Sequence, residues 1–127
     1  MEREYRLRRA SDIERVRKTG RSWAVGPVVL VAAPGPDPAG HPRSSFITGK
    51  KIGGAVERNR ARRQMREAVR ALRPRIARGW DLVWIARPSM TGQEFGRISG
   101  AIQECLRRAR LLDLTAPGAA PRDAREP

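Results

Sequence analysis

Arg58, Arg62, Arg66, Arg70 and Arg73 follow one another at intervals of four, four, four and three residues. That spacing lines their guanidinium groups along one face of a helix. Ala61, Met65, Ala68, Val69 and Leu72 line a second face at core spacing. One face can pack while the other meets something strongly negative. Like charges four residues apart repel by roughly 0.2–0.5 kcal/mol per pair. A partner that neutralises them is the simplest reason for the pattern, and nucleic-acid phosphate is such a partner. From Lys50 to Arg78 there are eleven Lys or Arg and two Glu, so this segment carries +9 of the chain's +14.

The residues that break bonds in protein nucleases are absent or scattered. The single histidine, His41, sits in a Pro/Gly-rich loop with no partner nearby in sequence, and reads as a solvated loop residue rather than a general base. Asp and Glu are dispersed and mostly have Arg neighbours, so no carboxylate cluster for metal-dependent cleavage is visible. Gly49-Lys50-Lys51 is close to a phosphate-binding loop. However, Ser44 stands where the first Gly belongs and Lys51 where Ser or Thr belongs, which argues against a nucleotide site. Cys105 is the only cysteine, so neither an intrachain disulfide nor a cysteine zinc cluster is possible. It falls at core spacing with Ile98, Ile102 and Ala109 and reads as an inert buried thiol. No catalytic residue and no metal ligand is therefore assigned.

At 127 residues the chain is long enough for one small domain with a modest core. Its pI near 11.7 favours a nucleic acid or another acidic surface as partner. Lys18, Lys50 and Lys51 are the only lysines. The remaining cations are arginines, whose planar forks bind phosphate bidentately and stack on bases. No run approaches the roughly 18 apolar residues of a membrane span. The basic N-terminus lacks the apolar stretch of a signal peptide, so the expected compartment is the cytoplasm.

The elements that must position these residues follow from pattern. Ser11-x-x-Glu14 reads as a capping box and Gly20 as a stop, predicting a helix over about 12–19. Trp23 to Ala33 reads as strand, broken or bulged at Gly26-Pro27. The stretch 34–42 is loop by its Pro and Gly content. Arg43 to Gly49 reads as a strand, and the basic helix runs from about Val56 to Leu72, ending before Pro74. Asp81 to Arg87 holds a continuous apolar run and reads as a central strand. Thr91-x-x-Glu94 reads as a second capping box. After it, Phe95, Ile98, Ile102, Cys105, Leu106, Ala109 and Leu112 make a helical core stripe, weakened by Gly96 and Gly100 by about 1 kcal/mol each. Residues 1–112 are expected to form a single RNA-binding α+β domain, a two-layer sandwich of about four strands with three helices. Residues 113–127 offer little to bury and are expected to be a disordered tail.

The motif Lys50-Lys51-Ile52-Gly53-x-Ala55-Val56-x-Arg58-Asn59-Arg60-x-Arg62-Arg63-x-x-Arg66, placed after an apolar strand, resembles the signature of the bacterial ribonuclease P protein subunit. The other elements follow in matching order over roughly residues 3–112. The resemblance implies a left-handed βαβ crossover around the basic helix, where the general rule favours a right-handed one. It implies a cofactor protein of an endoribonuclease whose RNA subunit holds Mg2+ and removes the 5′ leader of precursor tRNA. This chain would bind no cofactor of its own, and one protein per RNA is expected.

By position, Arg58, Asn59, Arg60, Arg62, Arg63 and Arg66 match the family's RNA-subunit contacts. Lys50 and Lys51 match its Lys pair, and Arg70 extends the face. Asn59 can pair with a base or a 2′-hydroxyl, or cap the helix start. Gly53 and Gly54 permit a tight turn; the family usually has Asn at position 54. The family binds the leader in a cleft between the first helix and the sheet, often with two stacking aromatics on that helix. Here those positions are Ile13 and Arg17. Trp23, Phe46, Thr48 and Arg87 would supply the sheet side, although Ile13, Trp23 and Phe46 also fit as core residues. A small ribosomal protein and a self-sufficient nuclease are the rival classes; the ordered motif argues against the first and the missing acid–base pair against the second.

Overall fold

The computed structural model describes residues 3–113. In chain order the elements are α1 (Ala10–Thr19), β1 (Arg21–Val25), β2 (Val28–Pro34), β3 (Arg43–Thr48), α2 (Ala55–Leu72), β4 (Trp80–Ala86) and α3 (Phe95–Arg108). The strands form one sheet in the order β1-β2-β4-β3. β1 with β2 and β2 with β4 are antiparallel, while β3 and β4 are parallel and are joined through α2. That β3–α2–β4 unit is the crossover to which the implied left hand refers.

The apolar stretch 23–33 becomes a hairpin rather than one strand. Gly26 takes φ +53 and opens a two-residue turn with Pro27, the Gly-X pattern that matches strand twist. β4 lies between β2 and β3, as its unbroken apolar run requires. Leu82 and Trp84 point to one face and Val83 to the other, all fully buried. The Trp84 indole donates to Ser44 Oγ at 3.3 Å, so its buried N–H is satisfied.

The faces of the sheet carry different helices. Leu30, Leu82 and Trp84 pack under Met65 and Ala68 of α2 and Ile98, Ile102 and Leu106 of α3. This is the expected sandwich of sheet and helices. α1 adds a partial cover on the opposite face, where Val16 and Ile13 pack with Leu7, Val31 and Val83.

Both predicted capping boxes are absent. α1 starts at Ala10, with Arg9 at the cap position and no side-chain cap. The chain leaves the sheet edge just before, where Leu7 N–H donates to Ser44 O at 2.9 Å, so Ser11 falls inside the first turn. The Thr91 hydroxyl instead donates to Ile52 O at 2.8 Å, and Glu94 takes the cap position of α3. Phe95, expected in the core stripe, opens α3 and is 45% exposed. Asp113, assigned to the tail, donates its N–H to Arg75 O at 2.8 Å; the rest of the proposed tail lies outside the described residues.

Candidate nucleic-acid interface

β3 ends at Thr48, and a short 3-10 turn over Lys50–Ile52 leads into α2. Gly53 then takes φ +139, and a Cβ there would meet Glu57 Cβ at 3.1 Å, so only glycine makes this turn without strain. Gly54 has an ordinary extended conformation. It serves as the helix cap, and its N–H donates to Glu57 Oε1 at 3.0 Å. Lys50 and Lys51 are exposed beside the helix N-terminus. Cations there oppose the helix dipole, a cost that a bound anion would offset.

α2 buries Ala61, Met65, Ala68 and Val69, as the spacing predicts. Its arginine face lies along β3, the edge strand. Arg62 Nη1 donates to Thr48 Oγ1 at 2.7 Å, and its Nη2 donates to Asn59 Oδ1. Asn59 therefore orients Arg62 from within the helix; Gly54, not Asn59, holds the cap. The Arg66 guanidinium stands 5.8 Å from the centre of the Phe46 ring. Arg70 pairs with Glu67 at 3.5 Å. Among the described residues, Arg58, Arg60, Arg63 and Arg66 form no ion pair with a carboxylate. Arg60, outside that stripe, lies on the other flank with Val56, Gln64 and Met90. Arg73 lies 3.8 Å over the Tyr5 ring and anchors the N-terminal segment.

A groove of about 480 Å³ runs along the β3 edge. β3 supplies Ser45 and Phe46, α1 supplies Ile13, α2 supplies Arg66, and the N-terminal segment supplies Arg6 and Arg8. That segment is held by a parallel bridge from Arg6 to Ser44 and by burial of Leu7. With Leu7 inside, Arg6 and Arg8 turn outward. The groove thus sets the apolar side chains of Ile13 and Phe46 among serines and three arginines. Such a site can take a single strand, with bases against Ile13 and Phe46 and phosphates against arginine. Arg6 and Arg8 were not singled out in the sequence, although the Arg-Leu-Arg alternation was the available signal.

The structure brings Ile13 and Phe46 together in the groove, whereas Thr48 lies outside its lining and accepts a hydrogen bond from Arg62. Arg17 does not line this groove. It borders a neighbouring depression on α1 with Ile13, Glu14 and Lys18. Trp23 lies on β1, at the opposite edge of the sheet, where its carbonyl is 3.7 Å from Cys105 Sγ. Arg87 donates to Gly26 O at 3.2 Å, beside the β1–β2 turn. Trp23 and Arg87 therefore do not share the groove.

His41 packs its ring against Tyr5, with ring centres 4.7 Å apart. Among the described residues, no three His, Cys, Asp or Glu side chains are placed to hold a metal ion, and no helix is long and apolar enough to cross a membrane. Burial pushes the Cys105 thiol up to about 11. Hydrogen bonds from Arg107 and Arg108 pull the Glu104 carboxyl down to about 2, so α3 neutralises much of its own basic end. α2 does not.

The family model for ribonuclease P matches residues 1–110. The ribonuclease P protein component of Roseiflexus sp. (strain RS-1) is 44% identical over 119 residues, covering 93% of this chain and 96% of that protein. The RNase P protein of Staphylococcus aureus superposes with a TM-score of 0.78 at 27% identity, covering 86% of this chain and 98% of that one. The RNase P protein of Thermotoga maritima superposes with a TM-score of 0.73 at 25% identity, covering 81% and 96%.

Proposed function

The chain belongs to the ribonuclease P protein family and is a protein component of that enzyme, and on this premise we propose that it binds the catalytic RNA through α2 and the precursor-tRNA leader through the β3-edge groove. The observation that carries this reading is the continuity of the two surfaces. Arg66 belongs to the basic face and also borders the groove.

In this reading Lys50, Lys51, Arg58, Arg62 and Arg63 neutralise phosphates of the RNA subunit, with Asn59 holding Arg62 in place. Arg60 reaches a different part of the same RNA from the other flank. Arg6, Arg8 and Arg66 position leader phosphates while Ile13 and Phe46 meet its bases. The chain itself breaks no bond; it supplies orientation and charge screening. The Mg2+ ions belong to the RNA subunit, and the screening lets that RNA work at lower magnesium. One protein per RNA, in the cytoplasm, completes the reading.

Reconstitution with the RNA subunit tests this reading. We expect correct 5′ cleavage of precursor tRNA at a magnesium concentration where RNA alone is slow, and no cleavage by protein alone. Cleavage by the protein alone, or no gain over RNA alone, contradicts it.

A further inference from the structure

Asp81, the second residue of β4, is 1% exposed. Two guanidinium groups hold it, one from α1 and one from β3, two of the elements that line the groove, while the cluster itself lies outside the groove's lining. Arg15 of α1 donates from Nη2 to Asp81 Oδ2 at 2.5 Å. Arg43 of β3 donates from Nε to Oδ1 at 2.9 Å and from Nη2 to Oδ2 at 2.8 Å. Arg15 also reaches Pro34 O at 2.9 Å, at the end of β2. A Cβ on Gly35 would stand 3.0 Å from Asp81 Oδ1, so the backbone closes over the carboxylate.

This cluster sits close in sequence to the groove. Arg15 is two residues beyond Ile13, and Arg43 is two residues before Ser45. The cover that α1 gives its face of the sheet is slight beside that of α2 and α3, because few apolar side chains are buried there. Charge-assisted, forked hydrogen bonds fix geometry as well as attraction. A supporting shell of this kind sets how closely a site holds its ligand.

We propose that Asp81 is a positioning residue for the leader: its carboxylate ties α1 to β3 and so sets the width of the groove. This rests on the groove being the leader site. Asp81 itself touches no RNA. Arg15 acts through Asp81 and not as a phosphate contact.

The experiment uses the reconstituted holoenzyme with Arg15→Ala and Asp81→Asn. Arg15→Ala leaves the Arg43–Asp81 pair intact, so it keeps a folded reference if Asp81→Asn does not fold. Affinities for precursor and mature tRNA are measured at two salt concentrations, and amide exchange is followed along the protein. We expect Arg15→Ala to lower precursor affinity by about tenfold, with mature tRNA unchanged. The loss should be equal at both salts, and exchange should quicken in α1 alone. Arg15→Lys should recover part of the affinity. Wild-type precursor affinity in Arg15→Ala overturns the proposal, as does a loss that shrinks with salt or exchange that quickens throughout the fold. If the wild-type holoenzyme does not distinguish precursor from mature tRNA, the leader reading itself fails, and the proposal falls with it.

Discussion

Arg66 of α2 holds its guanidinium 5.8 Å from the Phe46 ring of β3 and joins the basic helix to the sheet edge. A cation over an aromatic face contributes about 0.5–1 kcal/mol at an exposed site. The pair also fixes where the guanidinium stands above the groove. Phe46→Leu should weaken precursor tRNA more than mature tRNA. Combined with Arg66→Gln, the loss should be smaller than the sum of the single losses, because each variant already breaks the pair. A double-mutant cycle on precursor affinity checks this; additive losses would mean that ring and guanidinium act independently.

The exposed cations of α2 and its entry turn set a salt dependence. If about six of them each meet a phosphate, log affinity for the RNA subunit should fall against log salt with a slope of about −4 to −5. Arg63→Ala should flatten the slope by slightly under one unit. Arg70→Ala should flatten it less, because Arg70 is already paired with Glu67. A slope near zero contradicts the electrostatic site.

Position relative to the groove separates two arginines that the sequence does not separate. Arg8 lines the groove and Arg17 does not. Arg8→Ala should therefore weaken leader-bearing substrate by about tenfold or more, a cost of the order of a single charged hydrogen bond. Arg17→Ala should have the smaller effect. The reverse order in a precursor-binding titration would move the leader onto α1's outer face.

Gly96 and Gly100 lie within α3 with nothing within 4 Å of a built Cβ. Alanine at each should stabilise the protein by about 0.5–1 kcal/mol through the unfolded state. Thermal unfolding of the double variant should rise by several degrees. A fall would contradict the open space around both positions.

Much of the fold could be read from the sequence because its signals are periodic. The apolar run of β4 placed it at the sheet's centre, and the spacing of Ala61, Met65 and Ala68 gave the buried face of α2. The caps misled because Ser11 and Thr91 fit a local pattern that tertiary contacts override. Ser11 is displaced by the tether of Leu7 to β3, and Thr91 spends its hydroxyl on Ile52. The arginine face was legible in outline, and the spacing already sets Arg60 about 200° from Arg58, on another flank, yet spacing could not show Arg73 stacking on Tyr5. The groove was the least legible part. Its membership depends on strand order, which puts Phe46 and Trp23 at opposite edges of the sheet. It also depends on the N-terminal segment, whose docking on Ser44 brings in Arg6 and Arg8.

The central claim is that one protein holds two RNAs on adjoining surfaces, and site-directed cross-linking tests it most directly. Cys105 is fully buried and its thiol is pushed up to about 11, so a cysteine added at the surface can be labelled selectively. A photoreactive group on Ser45→Cys should label leader nucleotides of bound precursor tRNA, and one on Arg63→Cys should label the RNA subunit. Labelling of the RNA subunit from position 45, or of the leader from position 63, would contradict the account.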